Sequence, residues 1–300
     1  MMKIKKNKIT LKKNKMTLMG WILLAGFCIY AIVLLVPLIW GIYTSFKTPH
    51  NFTEDPIGLP NPWSLQNFSN VMKEFSFKYY ENGQQYETTL LGMYINSFLY
   101  SFGTSFISTA TCCAVAYVTA IFSWKFSKII YNLVVVIMIV PIVGSLPAQL
   151  NLMHALGFYD SMLGIYATSF SFAGIGYLLF FAAFQQTSKG YIEAGKIDGA
   201  SNLRIMLQLM LPMVWGIFFT LFLQSFIGKW NDYQTAMLYL PSYPTVAQGI
   251  YSFSFSSVGT IANVPSKLTG CMLLLLPVLI IFILFNKKLL INISIGGMKE

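Results

Sequence analysis

Residues 191–201 read Tyr191-Ile192-Glu193-Ala194-Gly195-Lys196-Ile197-Asp198-Gly199-Ala200-Ser201, and ten residues further on comes Leu211-Pro212. The stretch carries Glu193, Lys196 and Asp198 and lies between long apolar segments. Backbone groups in such a stretch need partners that lipid cannot supply, so it must sit in water or against another protein. Small residues at Ala194, Gly195, Gly199 and Ala200 would let a partner surface approach the backbone closely. It reads as a docking element between two membrane spans.

The chain around it is built for a membrane. Of its 300 residues 56% are apolar and 10% charged, against about 25% charged in a soluble domain. Charge-free runs cover 16–46, 88–124, 129–159, 161–188, 205–228, 233–266 and 268–286. A hydrocarbon core of about 30 Å takes about 20 helical residues to cross. Six runs therefore predict spans: Leu18 to Phe46, Tyr94 to Trp124, Ile129 to Pro147, Met162 to Phe184, Pro212 to Ile227 and Leu268 to Phe285. Pro37 is expected to kink the first. The run 233–266 is interrupted by Pro241, Pro244, Gly249 and Pro265 and alternates polar with apolar at 251–257, which predicts an external loop or interfacial segment.

The net charge of +10 is a topology signal. Lysines 3, 5, 6, 8, 12, 13 and 15 precede the first span, and Lys287 and Lys288 follow the last. Both termini are then expected in the cytoplasm, which requires an even number of spans. Six spans put 15 of the 20 basic residues inside, with Lys125 and Lys128 at one cytoplasmic turn and Lys189, Lys196 and Arg204 at the next. The expected organisation is a Lys-rich cytoplasmic tail at 1–15, a first transmembrane helix at 16–46, an extracytoplasmic segment at 47–90, a transmembrane core at 91–290 with its docking loop at 185–212, and a cytoplasmic tail at 291–300. A basic tail beside a membrane span follows the positive-inside rule, so nucleic acid is not an expected partner; membrane lipid is.

Nothing here reads as catalytic. Cys28, Cys112, Cys113 and Cys271 all fall in apolar runs without disulfide or metal spacing, and His50 and His154 stand apart. Residues 190–197 approach the phosphate-cradling pattern Gly-x-x-x-x-Gly-Lys-Ser/Thr, but Ile197 replaces the hydroxyl that would hold magnesium and a membrane span stands where a buried strand is needed. The chain is expected to bind no cofactor of its own.

The docking stretch also carries a resemblance. Glu193-Ala194-x-x-x-Asp198-Gly199-Ala200 followed by Leu211-Pro212 resembles the cytoplasmic signature loop of permease subunits of binding-protein-dependent ABC importers, above all the carbohydrate-uptake, maltose-type branch. That pattern usually has a second Ala where Gly195 stands. Pro62 to Phe68, Asn96-Ser97, Ala116-Tyr117, Leu156 to Ser161 and Trp230-Asn231-Asp232-Tyr233 resemble further family phrases, and the ending Gly296-Gly297-Met298-Lys299 is similar in altered form. Each also has a simple structural reading, from a capped surface turn to an aromatic interface belt.

The resemblance implies an all-α, six-helix type I ABC importer permease fold for this polytopic chain. It implies a second permease subunit as a pseudo-symmetric partner, two copies of an ABC ATPase that use ATP and Mg, and an extracytoplasmic solute-binding protein. The expected cargo is a sugar or oligosaccharide. In this reading Glu193 contacts a basic residue of the ATPase, Gly199 supplies a turn conformation, Asp198 caps the helix starting near Ala200, and Leu211-Pro212 ends the loop and begins span five. Gln149, Asn151, Gln224, Asn231 and Gln234 are polar groups in or near spans and are candidates for lining the substrate path. Alternatives are an ABC permease for an amino acid, peptide or polyamine, or an ion-coupled secondary transporter, though the predicted spans hold no ionisable residue of the kind that class uses.

Overall fold

The computed structural model describes residues 17–81, 83–122, 124–140, 144–255 and 263–293. Outside them lie the Lys-rich tail 1–15, Pro141, part of the alternating run 251–257 and the ending 296–299.

The chain runs α1 (Leu18–Thr44), α2 (Pro49–Glu54), α3 (Gln66–Glu74), β1 (Ser76–Glu81), β2 (Gln84–Thr89), α4 (Leu90–Ile121), α5 (Lys125–Ile139) and α6 (Leu146–Ala155). Then come α7 (Met162–Thr168), α8 (Ile175–Gln186), α9 (Gly190–Ile197), α10 (Asn202–Ile205), a π turn at Met206–Met210, α11 (Leu211–Met213), α12 (Trp215–Trp230), α13 (Tyr233–Tyr239), α14 (Val246–Phe255) and α15 (Val264–Ile293). The fold is predominantly helical, as expected, with one antiparallel hairpin added in the segment 47–90. There β1 pairs with β2 from Ser76↔Thr89 to Glu81↔Gln84.

Among the described residues, three helices have single-span length and hydropathy: α1, α4, and α15 over Val264–Ile281. A fourth unit joins Asn202–Met213 to Trp215–Trp230 across a 79° bend. The third expected span is the 15-residue α5 followed by α6. The fourth is broken: α7 stops at Thr168 and α8 starts at Ile175. Thr168 and Ser169 both turn their hydroxyls back onto the Ile165 carbonyl, at 2.9 and 2.7 Å, and such local bonds compete with the helical ladder. Pro37 lies inside α1, which continues through it.

Helix α4 is the axis of the bundle, packed along α8 and α12. In lipid there is no hydrophobic drive to associate helices, so close van der Waals fit and polar contacts hold them together. Accordingly α4 buries Ser97, Ser101, Thr104, Ser105, Thr109 and Ala116, residues small enough for close approach. Tyr117, Val134, Tyr177, Phe180, Phe184, Ile205, Met210 and Phe218 form the cluster near α9, and Thr119 and Tyr177 bond hydroxyl to hydroxyl at 2.8 Å within it. At the other end Val71, Phe75, Met93, Val246, Ile250 and Phe253 form a second cluster. By contrast, α1 buries only Gly41 and Thr44, Gly41 lying against Leu268 and Met272 of α15.

The run 233–266, expected as an external loop or interfacial segment, holds α13, α14 and the start of α15 among its described residues, and 244–250 is the most buried part of these. Asn96 donates to the Pro244 carbonyl (3.1 Å) and Ser97 accepts from the Val246 amide (2.8 Å). This gives the Asn96-Ser97 pair a specific task. Asp160 ties the same region down, accepting from the Ser242 amide (2.9 Å) and hydroxyl (2.6 Å). Buried polar backbone needs such partners, and here the chain supplies its own.

Candidate functional site

The docking element of the sequence forms an elbow from the end of α8 to the start of α12. Its first half is a short helix rather than a phosphate loop, because α8, not a strand, leads into it. Glu193 sits in the first turn of α9 and Lys196 in the last, the arrangement that complements the helix dipole. Gly195 faces the chain's own Ile205 and Leu209, and Ile192 is buried in the same cluster as Ile205. A Cβ on residue 195 would lie 3.0 Å from Leu209 Cδ1 and 3.1 Å from Ile205 Cγ1. Gly195 therefore serves internal packing, not approach of a partner. Ala194 is exposed and Ala200 half-buried.

The helix ends in a Schellman motif. Gly199 has φ +74, its amide bonds the Lys196 carbonyl (3.0 Å), and the Ala200 amide bonds the Gly195 carbonyl (2.9 Å). No atom lies within 4 Å of a Cβ built on Gly199, so glycine is required there by backbone conformation alone. Asp198 is the C-terminal cap residue of α9 and does not cap the next helix. Ser201 does, with extended backbone and its hydroxyl accepting from the Arg204 amide at 3.3 Å. The correction is one of register: the left-handed Gly199 turns the chain, and only the residue after Ala200 reaches N-cap geometry. Arg204 Nε then donates to Gln208 Oε1 at 2.9 Å.

Leu211-Pro212 does not start the long helix α12 but lies in α11, just ahead of the bend. Pro212 lacks an amide to give the ladder, the helix just ahead opens into the π turn, and the 79° bend follows at Val214. The straight helix beyond the bend is α12, of 16 residues or about 24 Å. It runs past Ile227, so Lys229 lies in its last turn, 3.5 Å from Asp232, which also accepts from Tyr100 Oη at 3.1 Å. An ion pair thus sits at the end of a helix that the sequence reading left uncharged.

The outward side of the elbow is apolar between charges. Ile197 is 86% exposed, Leu203 65% and Tyr191 54%, with Glu193, Lys196 and Asp198 exposed around them. These three apolar side chains were missed in the sequence because they look like ordinary helix-face residues; only the packing of Ile192 and Gly195 inward shows that Tyr191 and Ile197 point away.

The five substrate-path candidates do not converge. Gln149 Oε1 accepts from Tyr239 Oη (3.1 Å), and Asn231 donates to the Ile227 carbonyl of its own helix (2.8 Å). Asn151 and Gln234 are exposed on α6 and α13. Gln224 alone of the five borders a cavity of about 370 Å³, among α4, the α7–α8 break and α12. Ser108, Thr109, Ser171, Gly174 and Ser225 share its lining. The sequence reading passed over these because Ser, Thr and Gly in a span also serve close helix packing. Among the described residues no group of His, Cys, Asp or Glu could hold a metal ion.

Comparison with known proteins places this geometry. The chain is 21% identical over 272 residues to the diacetylchitobiose uptake system permease protein of Streptomyces coelicolor, covering 89% of this chain and 85% of that one. It is 26% identical over 284 residues to the galactooligosaccharides transport system permease protein of Bacillus subtilis, covering 90% and 92%. It is 23% identical over 283 residues to the trehalose/maltose transport system permease protein of Thermococcus litoralis, covering 93% and 96%. A chain of a bacterial ABC transporter involved in importing the acidic polysaccharide alginate, solved by crystallography, shares the fold at a TM-score of 0.71 and 20% identity, over 90% of this chain and 95% of that one. Residues 89–290 match the family described as binding-protein-dependent transport system inner membrane component, and the chain belongs to that family.

Proposed function

We propose that this chain is the permease subunit of an ATP-driven importer for a sugar or oligosaccharide delivered by an extracytoplasmic binding protein. The observation that carries the coupling half of the reading is that Tyr191 and Ile197 of α9 and Leu203 of α10 are exposed although the packing and cap of α9 are complete. Exposed apolar side chains among charges on such an elbow suit a protein partner. The partner is one of two copies of an ABC ATPase, in which ATP and Mg are used. A second permease subunit completes a pseudo-symmetric pair. Both termini and the elbow lie in the cytoplasm. The names of the relatives support a saccharide as cargo.

In this mechanism Glu193 and the apolar triplet seat in the ATPase, and nucleotide-driven closure of the ATPase pair moves the two elbows together. The force passes through α10, the π turn and α11 to the bend at Val214, and so to α12. Because α12 and α8 both pack on α4, tilting α12 changes the cavity beside Gln224, Ser108 and Ser225, which serves as part of the substrate route. The transition is a two-state equilibrium biased by nucleotide on one side and by the loaded binding protein on the other.

Affinity purification of the tagged chain from its native membrane, followed by mass spectrometry, tests the assembly. An ABC ATPase, a second permease and a binding protein should co-purify, and the ligand of that binding protein identifies the cargo. Recovery of the intact chain without any ATPase under conditions that preserve other membrane complexes would overturn the reading.

A further inference from the structure

A second cavity, of about 740 Å³, opens near the elbow, where the first turns of α5 meet the end of α8. Trp124, Lys125, Lys128, Tyr131, Phe181 and Gln185 line it, and among the described residues no carboxylate does. Lys125 and Lys128 are three residues apart and so share one face of α5. Among the described residues neither makes an ion pair or a hydrogen bond. The Tyr131 and Phe181 rings, 4.9 Å apart, close the inner wall. Ser127 is not available to a ligand as donor, since its hydroxyl bonds the Phe122 carbonyl at 2.7 Å. Beyond the lysines, α5 exposes Ile129, Leu133 and Val136, so a cationic recess continues directly into an uncovered apolar strip.

That sequence of environments is the profile of a membrane interface: an exposed Trp and two lysines at headgroup level, then hydrocarbon-facing side chains. A soluble anion would use the lysines and leave the strip bare. A phospholipid uses both.

We propose that this cavity binds the phosphate-bearing headgroup of an anionic phospholipid, with Lys125 and Lys128 neutralising the phosphate, the Gln185 side-chain amide donating to it, and the acyl chains lying along Ile129, Leu133 and Val136. The site joins α5 to the last turn of α8, which leads into α9, so a bound lipid steadies the helix ends from which the elbow is hung. The lipid chemistry does not depend on the transport reading; only the assignment to the cytoplasmic leaflet does.

The test is lipid retention. The chain with its co-purifying subunits is incorporated into vesicles of equal phosphatidylglycerol and phosphatidylcholine, extracted in mild detergent, and its bound lipid measured by native mass spectrometry. Wild type and a Lys125→Arg/Lys128→Arg variant should retain phosphatidylglycerol in preference to phosphatidylcholine. The Lys125→Gln/Lys128→Gln variant should lose that preference roughly thirty-fold, as expected for two interfacial basic side chains. Single Lys128→Gln, with a smaller loss, serves if the double variant does not insert. Equal retention by wild type and the Gln variants overturns the proposal. So does displacement of the lipid by millimolar inorganic phosphate, which would assign the site to a soluble phosphate.

Discussion

Helix α12 is flanked by two connections, 187–214 on one side and 231–250 on the other, that both interrupt the apolar pattern, the first with five charged residues and three glycines, the second with Asp232, Pro241, Pro244 and Gly249. They fold in opposite senses. The second turns inward, with Ser242 and residues 244–250 buried and their backbone bonded by Asn96, Ser97 and Asp160. The first folds a complete small helix and then presents Tyr191, Ile197 and Leu203 to the outside. A polar connection beside a membrane must find hydrogen-bonding partners somewhere. One connection finds them in its own bundle, and the other satisfies itself locally through a Schellman turn and a serine cap, with Tyr191, Ile197 and Leu203 left exposed.

If that contrast is right, damage to the two connections has different readouts. The largest effect is expected from Gly249→Leu. A Cβ there would lie 2.6 Å from Met93 Sδ and 3.2 Å from Phe75 Cζ, so the longer side chain should destabilise the chain by about 3 kcal/mol or more and abolish recovery of folded protein. Thermal unfolding in detergent and size-exclusion profiles measure this, and a variant as stable as wild type would show the inner connection to be loosely packed.

Ile197→Asp comes next and should behave in the reverse way. The side chain touches little of its own chain, so stability should move by less than about 0.5 kcal/mol. Capture of the ATPase should fall roughly thirty-fold, the loss of a central apolar anchor. Unchanged ATPase capture in a pull-down would remove Ile197 from the interface.

Glu193→Ala and Gly199→Asp should both leave the protein inserted while uncoupling transport from ATP hydrolysis, with Gly199→Asp also costing about 1 kcal/mol through its left-handed backbone. Parallel measurement of ATPase rate and uptake in proteoliposomes decides it; wild-type uptake in both refutes the docking role.

The smallest change is expected from Ser97→Ala. It leaves the buried Val246 amide without its partner, for about 1 kcal/mol, visible as a lowered unfolding temperature with ATPase capture intact. A loss of capture equal to that of Ile197→Asp would mean the two connections are not separate.

Much of this was legible before any coordinates. The charge-free runs mark the apolar helices, and the bracket of small and charged residues at 191–201 marks the elbow, because both follow from composition along a one-dimensional chain. The role of Gly199 was readable from residue type alone, since few other residues accept its φ. Asp198 was not, because Asp and Ser cap equally well and only the turn at Gly199 decides which reaches the position. The partners of Gln149 and Asn231 were not legible either, since Tyr239 and the Ile227 carbonyl reach them only in the folded chain.

What the sequence by itself determined, then, is where this chain is apolar enough to meet lipid and where it must find water or protein, because transfer of side chains and backbone into hydrocarbon depends on local residue identity. The tertiary structure alone decided which connection is buried and which is exposed, where the fourth span breaks, and which polar groups face a cavity. Those outcomes depend on hydrogen bonds and ring contacts between residues far apart in sequence, such as Ser97 with Val246 and Tyr131 with Phe181, and no local pattern encodes them.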